Sequence, residues 1–168
     1  LDVRRLKQGV HMLRRQSIDV GSLVVRLVGQ ADYLETREVR VETEPVVIAA
    51  DETKVRRMVE NLLTNAAKHT PEGTPVWVKV SAQPDGALIS VEDAGPGIPD
   101  EDKASLFEEF TTGDAARDSA TPGLGVGLSL VARFAELHGG RAWAEDRPDG
   151  GSAFRIFLPK DAPTDQRQ

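Results

Sequence analysis

The chain of 168 residues contains no cysteine, which excludes a disulfide scaffold, thiolate metal sites and a cysteine nucleophile. No apolar run approaches the ~18 residues that would suggest a membrane span. The first residues, Leu1-Asp2-Val3-Arg4-Arg5, lack the apolar stretch of a secretory signal. Basic residues are outnumbered, 21 Lys and Arg against 27 Asp and Glu, for a net charge of −6. That deficit argues against a general nucleic-acid binder, yet leaves room for a local phosphate-binding cleft. Internal repeats, low-complexity tracts and a G-x-x-x-x-G-K-[ST] phosphate loop are also lacking. An initiator methionine is absent, so the chain is expected to be a piece of a longer protein.

What is present fits one globular domain with a short appendage, with 39% hydrophobic and 29% charged residues. Val3, Leu6, Val10 and Leu13 recur at spacings of 3, 4 and 3, the pattern of an amphipathic helix or a short coiled coil. A second helix, capped by Ser17 or Asp19, is expected to run to about Thr36 on the face formed by Val20, Leu23, Val24, Leu27, Val28 and Ala31. Strands are predicted at 39–43 and 46–50. Asp51 then caps a helix with the stripe Val55, Met58, Val59, Leu62, Leu63 and Ala66. Alternation predicts strands at 76–80 and 87–92, joined by the turn Pro84-Asp85-Gly86. Residues 94–122 have little periodicity apart from a short helix around Glu101 to Phe107. A buried helix follows from Leu124 to His138, ended by Gly139-Gly140. Strands at 141–145 and 152–158 flank the hairpin turn Pro148-Asp149-Gly150-Gly151. The sum is an α+β fold, a two-layer α/β sandwich whose mixed sheet carries helices on one face.

Three segments carry residue types suited to a nucleotide. Asn61, Asn65 and Lys68 follow at spacings of 4 and 3 and line one side of their helix. Two amides and an ammonium suit a hydrated Mg²⁺ and triphosphate oxygens; they equally suit an ordinary solvated face. Asp93-Ala94-Gly95-Pro96-Gly97-Ile98 follows directly on a strand. Asp93 there can accept from an exocyclic amine, and the glycines let a ring approach the backbone, although the same residues make a tight turn. Gly123-Leu124-Gly125-Val126-Gly127-Leu128 opens the buried helix, where bared N–H groups suit phosphate or close packing. Leu128 stands where the dinucleotide fingerprint needs its third glycine, so this is a different motif.

In this order the segments resemble the ATP-binding domain of sensor histidine kinases, within the gyrase, chaperone, kinase and mismatch-repair ATPase superfamily. Asn61-Leu-Leu-Thr-Asn65-Ala-Ala-Lys68 resembles the N box and Asp93-Ala-Gly95-Pro-Gly97 the G1 box. Leu106-Phe107-Glu108-Glu109-Phe110 resembles the F box, and Gly123 to Leu128 the G2 box. His138-Gly139-Gly140, the closing hairpin and Leu158-Pro159 match the family's ending, so the resemblance covers about Val39 to Pro159. It implies the Bergerat-type ATP-binding fold with a mostly antiparallel sheet, and ATP and Mg²⁺ as cofactors. Asn65 would be the Mg²⁺ ligand, with Asn61 assisting directly or through water. Lys68 would neutralise phosphate charge, with His69 beside the site. Asp93 would read the adenine amino group, with Gly95, Gly97 and Ile98 beside the base. Gly123, Leu124, Gly125, Val126, Gly127 and Leu128 would cradle phosphates. Phe107 and Phe110 would anchor a lid over 94–122, whose residues 111–122 cover ATP.

Departures from the family pattern sharpen the reading. Hydrolysing members place a glutamate one turn before the metal-binding Asn, where this chain has Asn61, which cannot act as a base. Glu60 is rotated ~100° away around the helix. Phosphoryl transfer needs mainly positioning and charge neutralisation, so the resemblance implies a kinase rather than a hydrolase. His69 stands where relatives often carry an aromatic, and Thr111-Thr112 where many carry Arg, a role that Arg117 could take over. His11, His69 and His138 do not fit the family's acceptor pattern. The acceptor histidine is therefore expected outside this chain, with residues 1–15 ending a dimerisation stem, 16–160 forming the catalytic domain and 161–168 a tail. The implied partners are that stem and a response-regulator receiver domain, in a homodimeric parent with no nucleic acid. The domain would be cytoplasmic, its parent soluble or anchored in the inner membrane. Rival expectations are an anti-sigma-type serine kinase and a non-catalytic nucleotide-sensing domain.

Overall fold

Alternating side chains decide which surface of the sheet is covered. Val76, Val78 and Val80 are buried, as are Ala87, Ile89 and Val91, and Phe154, Ile156 and Leu158, while the residues between them face the other way. The computed structural model describes residues 13–108 and 124–161, except the side chains of 124–126. Expectations for His11, Phe110, Thr111, Thr112, Arg117, Gly123, most of the stem and the tail beyond Asp161 lie outside the described residues.

In chain order the elements are β1 (Gln16–Asp19), α1 (Val20–Gly29), a 3₁₀ turn (Asp32–Leu34), β2 (Val39–Thr43), β3 (Val47–Ala50), α2 (Glu52–Lys68), β4 (Val76–Gln83) and β5 (Gly86–Asp93). Next come α3 (Asp100–Lys103), a second 3₁₀ turn (Ser105–Phe107), α4 (Leu124–Leu137), β6 (Arg141–Asp146) and β7 (Ser152–Pro159). The main sheet has the order β2-β4-β5-β7-β6. β2 runs parallel to β4 and every other pairing is antiparallel. The expected mixed, mostly antiparallel sheet with helices on one face is thus observed. Val55, Met58, Val59, Leu62 and Leu63 of α2 join Leu128, Val131 and Ala135 of α4 in the core. A fully buried aliphatic or Met side chain contributes about 1.5–3 kcal/mol.

Three local expectations change. Gln16–Asp19 is a strand, paired antiparallel with β3 through Ile18 and Ile48, rather than an interruption between helices. α1 stops at Gly29, not near Thr36; Gly29 is a poor helix residue, and the following 3₁₀ turn buries Leu34 instead. Leu13 to Arg15, expected as the end of a stem helix, are irregular. The Arg14 N–H donates to Asp51 Oδ2 at 3.1 Å and the Arg15 guanidinium to the Ala49 carbonyl at 3.0 Å.

His138 ties α4 to α2. The α4 C-terminus closes with Gly139 at φ +82°, its N–H bonded to Glu136 and that of Gly140 to Ala135, a Schellman pattern. His138 itself is fully buried. Its Nδ1 donates to the Phe134 carbonyl at 2.7 Å, and Nε2 accepts the Asp51 N–H at 3.1 Å, which assigns a neutral ring. Burial first, then the charges of Arg15 and Lys54, push its pKa below the ordinary 6.5 against the pull of Phe134 and Asp51. The unfolded chain therefore binds this proton more readily, and stability falls with acidity. A pH series of thermal melts should be level above about 6.5 and decline below it. His138→Asn should lose about 1–3 kcal/mol at pH 7.5 and show a shallower acid slope. Part of the slope remains from His69, whose pKa is also pushed down by burial and then by the Lys68 charge.

Candidate functional site

The central strand delivers the key carboxylate. Asp93 is the last residue of β5 and pairs with Val76 at the start of β4 and Ser152 at the start of β7. It is 5% exposed. Oδ1 accepts the Gly95 N–H at 2.9 Å, and the Ser152 N–H also bonds the carboxylate. Burial raises its pKa above the ordinary carboxylate value, opposed by those N–H groups and by the charges of Arg147 and Arg37. Two glycines make this arrangement possible. A Cβ on Gly95 would lie 2.7 Å from Thr70 Cγ2, and one on Gly151, at φ +98°, would lie 1.9 Å from the Asp93 carbonyl oxygen. Only glycine lets the β6–β7 turn press that close.

The second wall is the end of α2, a helix started by Asp51, whose side chain accepts the Lys54 N–H. Asn65, His69, Thr70, Asp93, Pro96, Gly97, Ile98, Ser152 and Phe154 enclose a cavity of about 30 Å³. That is room for one or two waters. Asn65 is 6% exposed. Its Nδ2 and the His69 Nε2 are buried without a partner, and both residues line this cavity. Buried amides are nearly always satisfied, so two orphaned nitrogens in one small cavity mark a place where a polar ligand belongs.

The other expected residues fall into distinct places. Gly97, at φ +82°, and Ile98 line the cavity. Phe107 packs on the cavity wall through Phe154, ring centroids 6.3 Å apart. Lys68 is exposed beyond the cavity. Asn61 is turned toward α4, its Nδ2 3.5 Å from the Gly127 carbonyl. Leu128 is fully buried in the core and does not line the cavity. Leu124, Gly125 and Val126 form the first turn of α4. Sequence reasoning missed Ser152, Thr70 and Arg37. Ser152 was accessible from the hairpin register, because the residue after Gly150-Gly151 must meet the end of β5. Arg37 left no local signal.

A protein-built metal centre is a poor description of this site: among the described residues no group of three or more His, Asp or Glu could hold an ion. The donor set instead fits an ion that arrives with its own oxygen ligands.

Residues 50–162 match the family described as Histidine kinase-, DNA gyrase B-, and HSP90-like ATPase. The chain belongs to that family. Its similarity to sensor histidine kinase TmoS of Ectopseudomonas mendocina is 43% identity over 124 residues, 73% of this chain and 13% of TmoS. The solved structure of the mycobacterial sensor histidine kinase MprB gives a TM-score of 0.74 at 28% identity, covering 89% of this chain and 99% of that one. The nucleotide-free catalytic domain of histidine kinase ThkA gives 0.78 at 25% identity, over 90% and 100%. The first curated relatives are much longer: the chain spans between 11% and 37% of their length. The histidine kinase-like ATPase domain described here thus has its ATP-binding fold in common with kinase catalytic domains. Among the described residues no helix is long and apolar enough to cross a membrane.

Proposed function

We propose that this domain binds Mg-ATP and transfers the γ-phosphoryl group to a histidine outside the described chain, for relay to an aspartate of a response regulator. The observation that carries the proposal is the cavity at the end of β5, lined by buried Asp93 together with Asn65 and His69, each of which holds a buried nitrogen without a partner. Asp93 accepts a hydrogen bond from the adenine amino group, while Gly97 and Ile98 flank the ring. Asn65 would hold Mg²⁺ through its amide oxygen once the amide is rotated to present it. Bound there, the ion would supply neutralisation of charge on the phosphate oxygens. Lys68, exposed at the helix end, adds a positive charge, and the first turn of α4 offers N–H groups.

Transfer is favoured over hydrolysis because, among the described residues, no carboxylate stands one turn before Asn65 to activate water. Asn61, the residue one turn before Asn65, is an amide engaged with α4. Glu60 is exposed and its charge acts on Tyr33, whose hydroxyl pKa is raised by burial and then by Glu60. In the transfer an imidazole nitrogen attacks the γ-phosphorus, the bond to the β–γ bridging oxygen breaks, and ADP leaves. The proton lost from the imidazolium goes to a base brought by the acceptor domain.

The test supplies γ-labelled Mg-ATP and a histidine-bearing stem domain. The expected product carries label that is lost in acid and kept in alkali. Acid-stable label identifies a serine kinase, and nucleotide binding without label on any acceptor identifies a sensing domain. Either result overturns the proposal.

A further inference from the structure

Arg37 lies in the segment before β2, far in sequence from the cavity, yet its guanidinium closes the end of α2. One terminal nitrogen donates to the Ala66 carbonyl at 3.3 Å, the Thr70 hydroxyl at 2.6 Å and the Thr74 carbonyl at 3.4 Å; the other donates to the Ala67 carbonyl at 3.3 Å. Ala66 and Ala67 belong to the last turn of α2, whose carbonyls have no partner within the helix. A cation there also complements the helix dipole. Thr70, held by this fork, lines the cavity, and a Cβ on Gly95 would meet its methyl group at 2.7 Å and Asp93 Oδ1 at 2.9 Å. Gly95 in turn donates the N–H that orients Asp93. A chain of contacts therefore runs from Arg37 through Thr70 and Gly95 to the Asp93 carboxylate.

We propose that Arg37 is a positioning residue for the base end of the nucleotide site, holding the Thr70 wall and the end of α2 in register with Asp93. The inference rests on the adenine-site reading above and deepens it. Arg37 touches no substrate and acts through Thr70. Its charge is also one of the two that favour the ionised form of Asp93, the form with both oxygens free to accept. Lysine is not an equivalent here, because a single ammonium cannot serve three carbonyls and a hydroxyl as the two terminal nitrogens of a planar fork do.

The position of the effect distinguishes this role from simple stabilisation. A residue acting at the base end weakens AMP, ADP and ATP by the same factor, since all three share the adenine. In Arg37→Gln, calorimetric titration of the folded protein should show each nucleotide bound about tenfold more weakly, the equivalent of ~1.4 kcal/mol. Arg37→Lys should recover part of that loss. Thr70→Val, which keeps Arg37 but removes the hydroxyl that joins it to the wall, should reproduce part of it. If Arg37→Gln lowers the melting temperature while affinities stay at the wild-type values, Arg37 is structural only and the inference fails. A loss confined to ATP also overturns it, because the effect would then sit at the phosphates. Should Arg37→Gln not fold, the Lys and Thr70→Val variants decide: wild-type affinity in both overturns the inference. The adenine-site reading is checked separately. Wild type that binds no nucleotide defeats that reading, whereas wild type that binds alongside unaffected Arg37 and Thr70 variants defeats only the inference.

Discussion

Asp93→Asn should abolish nucleotide binding while leaving the fold in place. The Asp93 carboxylate already accepts from the N–H groups of Gly95 and Ser152, and in the proposed complex it accepts from the adenine amine as well. An asparagine has one acceptor oxygen. If that oxygen keeps the backbone N–H groups, the amide NH₂ faces the adenine NH₂, and two donors meet in a buried site. Reversing the amide moves the conflict to the backbone. Either arrangement leaves buried donors unpaired, at about 1–3 kcal/mol each, besides the lost hydrogen bond to a charged acceptor. The fold should tolerate the change, because burial already disfavours the charged carboxylate and the amide removes that charge. The readout is a thermal melt with and without Mg-ADP. At 100 times its Kd, a ligand specific to the folded state adds ~2.7 kcal/mol, which for a chain of this size raises the melting temperature by about 5–11 °C. Wild type should show that shift and Asp93→Asn none. Equal shifts in both would remove Asp93 from the binding reaction.

Asn65→Ala should eliminate phosphoryl transfer without lowering stability. Most buried substitutions to alanine destabilise, because they open a cavity and remove contacts. Asn65 differs in that its Nδ2 is buried with no partner, at an unpaired-group cost of about 1–3 kcal/mol in the ligand-free fold. Alanine removes that cost while giving up little apolar packing, so the melting temperature should stay level or rise slightly. Function moves the other way, since the amide is the protein's own ligand for the ion in the proposed complex. Labelled transfer to the stem should fall below detection, whereas the adenine contacts at Asp93 remain. A variant that melts several degrees lower and still transfers phosphate would make Asn65 an ordinary core residue. Stability held at the expense of an unsatisfied group is what a preorganised site requires.

Much of the scaffold was legible because its signals are local. The stripe from Val55 to Ala66 and the capping carboxylate of Asp51 announce α2, and the observed helix spans Glu52–Lys68 with that cap in place. Alternating valines announce β4, and Pro148-Asp149-Gly150-Gly151 announces the β6–β7 turn. Asp93, Gly97 and Ile98 were singled out by motif and do line one cavity with Asn65 and His69. Asn61 shows the limit of helical spacing. It shares a side of α2 with Asn65, yet its amide meets Gly127, because α4 packs over that part of the helix.

The sequence by itself determined the period of each strongly patterned element, the caps and glycine stops that bound them, and the order of motifs that identifies the family. Those properties depend on residues within a few positions of one another, where backbone sterics and local hydrogen bonds act. Tertiary structure decided the rest. β1 is a strand only because β3 lies beside it, since four residues carry no usable period of their own. The neutral His138 bridge to Asp51 joins residues 87 positions apart, and Arg37 reaches across about thirty positions to cap α2. Contacts at such separations have no trace in local pattern. They come into being when burial of the shared apolar core brings the ends of α2, α4 and β5 together and obliges every polar group caught there to find a partner or to wait for a ligand.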